Sequence, residues 1–298
     1  MVKVIGHHGA HSLGFSPNTL SAFNEALETG NGFCTPLAKS MDGEVFCIDD
    51  ITRCGQDVAY NLRDKLCDKS AAILGHRRFN ECMADEIKNF RYKNGALIPT
   101  LGESLDLLRP HPGSQIFLKL RGEDVAKDTL KTLQATFVQT SISPEQVIVC
   151  GYEPATLQAF RSSFGKLKIC LIFYPETFPQ GVKLYPWSVK DYSCYKPFRA
   201  SVLDSPLMKR LKPDLFSLEV TTIRESTVRA ILRKYNTAKI ALWFDNEPRP
   251  DKSFALLERM KNGIISPYIN HVITKYPRQM TRFLKEEGIT LNKTSVAA

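Results

Sequence analysis

Short apolar runs alternate with amphipathic stretches along almost the whole chain, and this order constrains the fold more than any other feature. The apolar runs expected as strands are 2–7, 33–37, 44–48, 115–120, 146–150, 168–173, 214–218, 239–244 and 271–273. Helical patterns are expected at 18–29, 101–109, 124–137, 153–164, 226–235 and 250–262. In the first of these, Leu20, Phe23 and Leu27 fall on one face. Strand-then-helix repetition predicts a parallel sheet with helices outside it. About eight such units in 298 residues fit an α/β protein of the closed (β/α)8 barrel type better than an open doubly wound sheet. No G-x-G-x-x-G opens a helix after a strand, which lowers a dinucleotide-binding reading.

Two stretches interrupt the alternation: residues 50–98, expected as an insertion after the second barrel strand, and 174–212, expected as a long ordered loop. The second carries Pro175, Pro179, Pro186 and Pro197 among aromatics. The expected organisation is one barrel domain over residues 1–298.

Composition narrows the function classes. No apolar run approaches the ~18 residues of a membrane span, and the opening residues turn polar too soon for a signal peptide. The eight cysteines form no C-x-x-C pair, which suggests reduced thiols in a cytoplasmic chain. The C-terminus, with Glu286-Glu287 before Thr294 to Ala298, also has the acidic-then-small look of some bacterial export tails. The 40 Lys and Arg against 31 Asp and Glu give a net charge of +9. This excess is spread along the chain, as a solvated surface or as a field for anionic substrates and anionic membrane surfaces. No nucleic-acid-binding motif is present, so no nucleic acid partner is expected.

The opening Val4-Ile5-Gly6-His7-His8-Gly9, followed by Pro17-Asn18-Thr19 and Ala22-Phe23, resembles the glycerophosphodiester phosphodiesterase family. That family opens its barrel with His-Arg-Gly and then a Pro-Glu-Asn-Thr-x-x-Ala-Phe helix start. Asp42-Gly43 is similar to its Asp-Gly turn, Ile98-Pro99-Thr100-Leu101-Gly102-Glu103 to its Ile-Pro-Thr-Leu-x-Glu, and Ile273-Thr274-Lys275-Tyr276-Pro277 to its closing Thr-Asp-x-Pro. The pieces arrive in family order. The resemblance implies a phosphoric diester hydrolase acting on phospholipid headgroup derivatives, using Ca2+ or Mg2+ and two histidines.

The same alignment of motifs shows what has changed. The Glu-x-Asp metal positions are Cys34 and Pro36, and the third metal-binding carboxylate, in an Ile-Glu-x-Lys strand, is Phe117. The second catalytic histidine reads Asp49, in Asp49-Asp50. A hard cation needs several oxygen ligands, which proline, phenylalanine and a thiol do not supply. No metal cofactor is therefore expected. His7 and Asp49 remain as candidate catalytic residues, with His8 and Lys119 as candidate phosphate-binding residues. Glu219 and Asp245, at expected strand ends, offer an acidic alternative with Asp49 and Asp50. Cys34 is a nucleophile beside His7 on one reading and an inert buried thiol on the other. His76, His111 and His271 show no ligand spacing and are expected to be structural or exposed. Two functions follow. The chain is either a phosphodiesterase-like protein with weak or lost metal-dependent hydrolysis and retained phosphate or headgroup binding, or an inactive pseudoenzyme acting as a binding or effector protein.

Overall fold

The computed structural model describes residues 2–11, 14–48, 62–120, 123–173, 200–220, 225–244 and 268–288. Eight parallel strands close into a barrel: β1 Lys3–His7, β2 Gly32–Lys39, β4 Gln115–Leu120, β5 Val147–Gly151, β6 Lys168–Ile172, β7 Leu215–Glu219, β8 Lys239–Trp243 and β9 Ile269–Thr274. Pairing of Gly6 with Phe33 and of Lys3 with His271 seals β1 between β2 and β9. The expected strand at 44–48 is β3, Val45–Cys47, which lies antiparallel on β2 and adds no stave to the barrel. The hairpin that creates it turns at Asp42-Gly43, where Gly43 takes φ 90° and the Ser40 amide donates to the Glu44 carbonyl.

Alternation along the strands sorts the core into two apolar clusters. Val147 and Val149, Ile169 and Leu171, and Ile240 and Leu242 face outward, onto helix residues such as Leu133, Leu157 and Ile231. Ile148, Cys150 and Tyr152, Cys170 and Ile172, and Ala241 and Trp243 face inward, joined by Ile5, Cys34, Phe117, Leu215 and Ile273. The interior is a packed core with polar ends.

The helices of the outer ring include α1 Leu20–Thr29, α5 Leu101–Asp106, α6 Glu123–Gln139, α7 Pro154–Ser163, α9 Glu225–Lys234 and α10 Pro277–Glu286. In α1 the buried face is Ala22, Phe23, Ala26 and Leu27. Leu20, expected on that face, is 37% exposed at the first position of the helix. Phe23 instead stacks on Phe33 of β2 at 4.1 Å between ring centroids. The expected helix at 250–262 lies outside the described residues.

The described part of the insertion, from residue 62, forms short helices: α2 Leu62–Lys65, α3 Asp68–Leu74 and α4 Ala84–Ile87. Leu62, Leu66, Phe79, Ile87 and Phe90 pack there against Phe46 and Ile48 in a cluster of their own. The segment 174–212 is not loop throughout. Its last part is a 3-10 turn, Ala200–Asp204, and helix α8, Pro206–Leu211, capped by Ser205 accepting from the Met208 amide. Among the described residues no helix is long and apolar enough to cross a membrane.

Candidate active site

The candidate residues are set by how the first strand ends. Gly6 packs so closely on α1 that a Cβ would lie 2.6 Å from the Ala26 Cβ, and Gly9, at φ 82°, meets the Ala22 backbone at the same distance. Between them His8 takes φ 58°, its amide donating to the Cys34 carbonyl at 2.8 Å and its carbonyl accepting from the Asn18 amide at 2.9 Å. Asn18 is itself buried at φ 57°, with Oδ1 accepting from the Thr35 hydroxyl. Thr19 then caps α1 by accepting from the Ala22 amide. The Pro-Asn-Thr motif thus clamps the turn that carries the two histidines.

His7, His8 and Lys119 come to the same end of the barrel. His7 closes β1 with the parity of Ile5, so it belongs to the inner face, and it pairs in register with Cys34. Lys119, one strand further round on β4, pairs with Pro36 and is 8% exposed. The His7 and His8 rings lie 4.1 Å apart, and His11 stands 6.5 Å beyond His8. Asp49, Asp50 and Asp245 lie outside the described residues.

Lys119 is held by features that motif spacing does not reveal. Its ammonium lies 5.7 Å from the centre of the Tyr152 ring and 5.5 Å from that of Trp243. Both rings project inward from the carboxyl ends of β5 and β8, and the attraction of a cation to a π-face restrains the side chain there. The available signal was parity: Trp243 alternates with Lys239 and Ala241. Glu219, with the inward parity of Leu215 and paired with Trp243, is buried at the end of β7. Lys275 and Lys65 lie close enough to His11 that, after burial, their charges help hold its imidazole down to about 4. His11 is therefore neutral at pH 7, and the insertion, through Lys65, contributes to the rim.

The three positions where the resemblance implies metal ligands present different chemistry. Cys34 and Phe117 are members of the interior apolar cluster, and Pro36 is a buried member of β2 that pairs with Lys119. Phe117 packs edge-on against His271, at 5.1 Å, beneath the mouth. This thiol, ring and pyrrolidine do not fit a hard divalent cation. Cys34 packs as a small apolar side chain. Its neighbour Cys150 has a thiol pushed well up by burial first and by Cys170 beside it, so it stays protonated. Of the remaining histidines, His271 is buried.

No protein-family profile matches the sequence, and no curated protein does. Solved structures match over nearly the whole chain. A candidate glycerophosphoryl diester phosphodiesterase from Silicibacter pomeroyi DSS-3 is 16% identical, with a TM-score of 0.69 over 98% of this chain and 96% of that one. A phosphodiesterase from Oleispira antarctica, solved in complex with the product sn-glycerol-3-phosphate, is 15% identical with a TM-score of 0.64 over 95% and 96%. A glycerophosphodiester phosphodiesterase from Thermotoga maritima is 17% identical with a TM-score of 0.59 over 95% and 98%. Strand order, the histidine turn and these likenesses agree: the chain has the barrel fold of the glycerophosphodiester phosphodiesterases.

Proposed function

We propose that the barrel mouth binds a phosphate ester of the glycerophosphodiester class, free or as a phospholipid headgroup, and hydrolyses it far more slowly than the enzymes whose fold it shares. The observation that carries this reading is Lys119, a buried ammonium fixed between Tyr152 and Trp243 at the end of the barrel where His7 and His8 stand. A phosphate in that space accepts from the ammonium and from the imidazole N–H groups, and charge-assisted bonds of this kind are strong. The product complex of the Oleispira antarctica protein supports a glycerol phosphate as the ligand class.

The weakness of the hydrolysis follows from the side chains. A divalent cation supplies most of the stabilisation for charge developing on phosphorus, and Cys34, Pro36 and Phe117 give it no oxygen to bind. His7 remains to accept a proton from the attacking group. Asp49 stands where the resemblance places the second histidine, and a carboxyl of ordinary pKa is a poor proton donor to a leaving alcohol at pH 7. Holding ground state and transition state alike yields binding without acceleration.

Calorimetric titration with sn-glycerol-3-phosphate tests the binding half. The expected dissociation constant is roughly micromolar to millimolar, weakened about tenfold or more in Lys119→Ala. Unchanged affinity in that variant removes the mouth from the account.

A further inference from the structure

At the opposite end of the barrel, five polar side chains share the inward parity: Lys3 of β1, Gln115 of β4, Lys168 of β6, Lys239 of β8 and His271 of β9. Each stands two residues before a member of the interior cluster, namely Ile5, Phe117, Cys170, Ala241 and Ile273. Along β1 this floor is four residues, roughly 13 Å, from His7.

The polar groups there are only partly satisfied. The Gln115 Nε2 donates to the Glu145 carbonyl at 3.1 Å, which orients the amide so that its Oε1 accepts from His271 Nε2 at 2.9 Å. His271 Nδ1 is then a lone-pair acceptor, buried and without a hydrogen-bond partner among the described residues. Burial and the charges of Lys3, Lys168 and Lys239 hold this imidazole neutral, with a pKa down to about 3. Burial and Lys168 likewise bring the Lys3 ammonium down to about 8. Among the described residues none of the three lysines forms an ion pair, and Lys3 has only the Gly113 carbonyl, at 3.0 Å. Three ammoniums that repel one another around an unfilled acceptor cost stability unless an anion joins them.

We propose that this floor is an oxyanion site, separate from the mouth, in which Lys3, Lys168 and Lys239 hold an anion of the hydrogen-phosphate type. The ammoniums donate to its oxygens, and its remaining hydroxyl donates to His271 Nδ1. The Lys3 bond to Gly113 tethers one lysine at the rim, so the other two close on the ligand from β6 and β8. Sulfate carries the same shape without a proton at neutral pH, so the site discriminates against it.

Amide 1H–15N spectra of the full chain titrated with inorganic phosphate, at constant ionic strength in chloride, test this. Saturable shifts are expected at Lys3, Gly113, Lys168 and Lys239, unaltered by His7→Ala, which disables only the mouth. Lys168→Gln with Lys239→Gln removes those shifts and leaves the ones near His7. Sulfate is expected to bind the floor at least tenfold more weakly than phosphate. Floor amides that stay still, or that titrate identically in the double variant, overturn the proposal. Equal affinity for sulfate overturns the contact with His271.

Discussion

A lysine clasped by two aromatic faces and a histidine turn pinned by Asn18 stand at one end of this barrel, and the histidine buried at the other end is, like His11, an imidazole held neutral in the fold. His271 titrates near 6.5 when unfolded and near 3 when folded, so below about pH 6.5 the unfolded chain binds the extra proton. Its contribution to stability is complete above the unfolded value and falls as pH drops towards the folded one. At pH 5 the loss relative to pH 7 is about 2 kcal/mol. Urea unfolding of the unmodified chain and of His271→Gln across this range checks it. The variant is expected to have a flatter profile between pH 6.5 and 4, and parallel profiles would assign the acid sensitivity elsewhere. At this scale the motifs made the common position of His7, His8 and Lys119 at one end of the barrel legible, though not their roles. The sequence was silent on Tyr152, Trp243 and the His271–Gln115 bond, because those contacts join strands far apart in the chain.

Elements were legible where one periodicity dominated. Strands buried on both faces read as apolar runs, and their observed limits lie within one residue of expectation except in β2, which continues two residues further to Lys39, and β9, which starts two residues earlier at Ile269. The 3-10 turn and α8 hid inside a segment whose prolines suggested loop, since Pro206 stands at a helix start where its missing N–H costs nothing. Gly32 marks the tightest packing between elements. At φ 142°, a Cβ there would lie 1.7 Å from the Gln115 carbonyl oxygen across the β2–β4 pair. Gly32→Ala is expected to destabilise the fold by about 3 kcal/mol or more, measured by chemical denaturation, and a neutral substitution would show the pair to be loose. Phe117→Glu tests the interior from the other side. A carboxylate buried among Ile5, Cys34 and Cys170 is expected to cost about 3 kcal/mol or more and not to be rescued by Ca2+ or Mg2+. Full rescue by either ion would reveal a metal site that the packing does not favour.

For the molecule as a whole, closure of the barrel leaves an apolar plug of interior side chains between the end that carries Lys119 and the end that carries Lys3, Lys168 and Lys239. The fold was readable because strand–helix order and the motif order agree along nearly the full length. The activity was not, because the residues that differ from the expected pattern are the ones that would set the rate. The most direct test is glycerol-3-phosphate release from glycerophosphocholine by the unmodified chain, with and without chelator. Turnover is expected to be far below that of metal-bearing phosphodiesterases of this fold and insensitive to chelator, alongside thermal stabilisation by phosphate esters that Lys119→Ala removes. Rapid, chelator-sensitive turnover abolished in His7→Ala would contradict the proposed function.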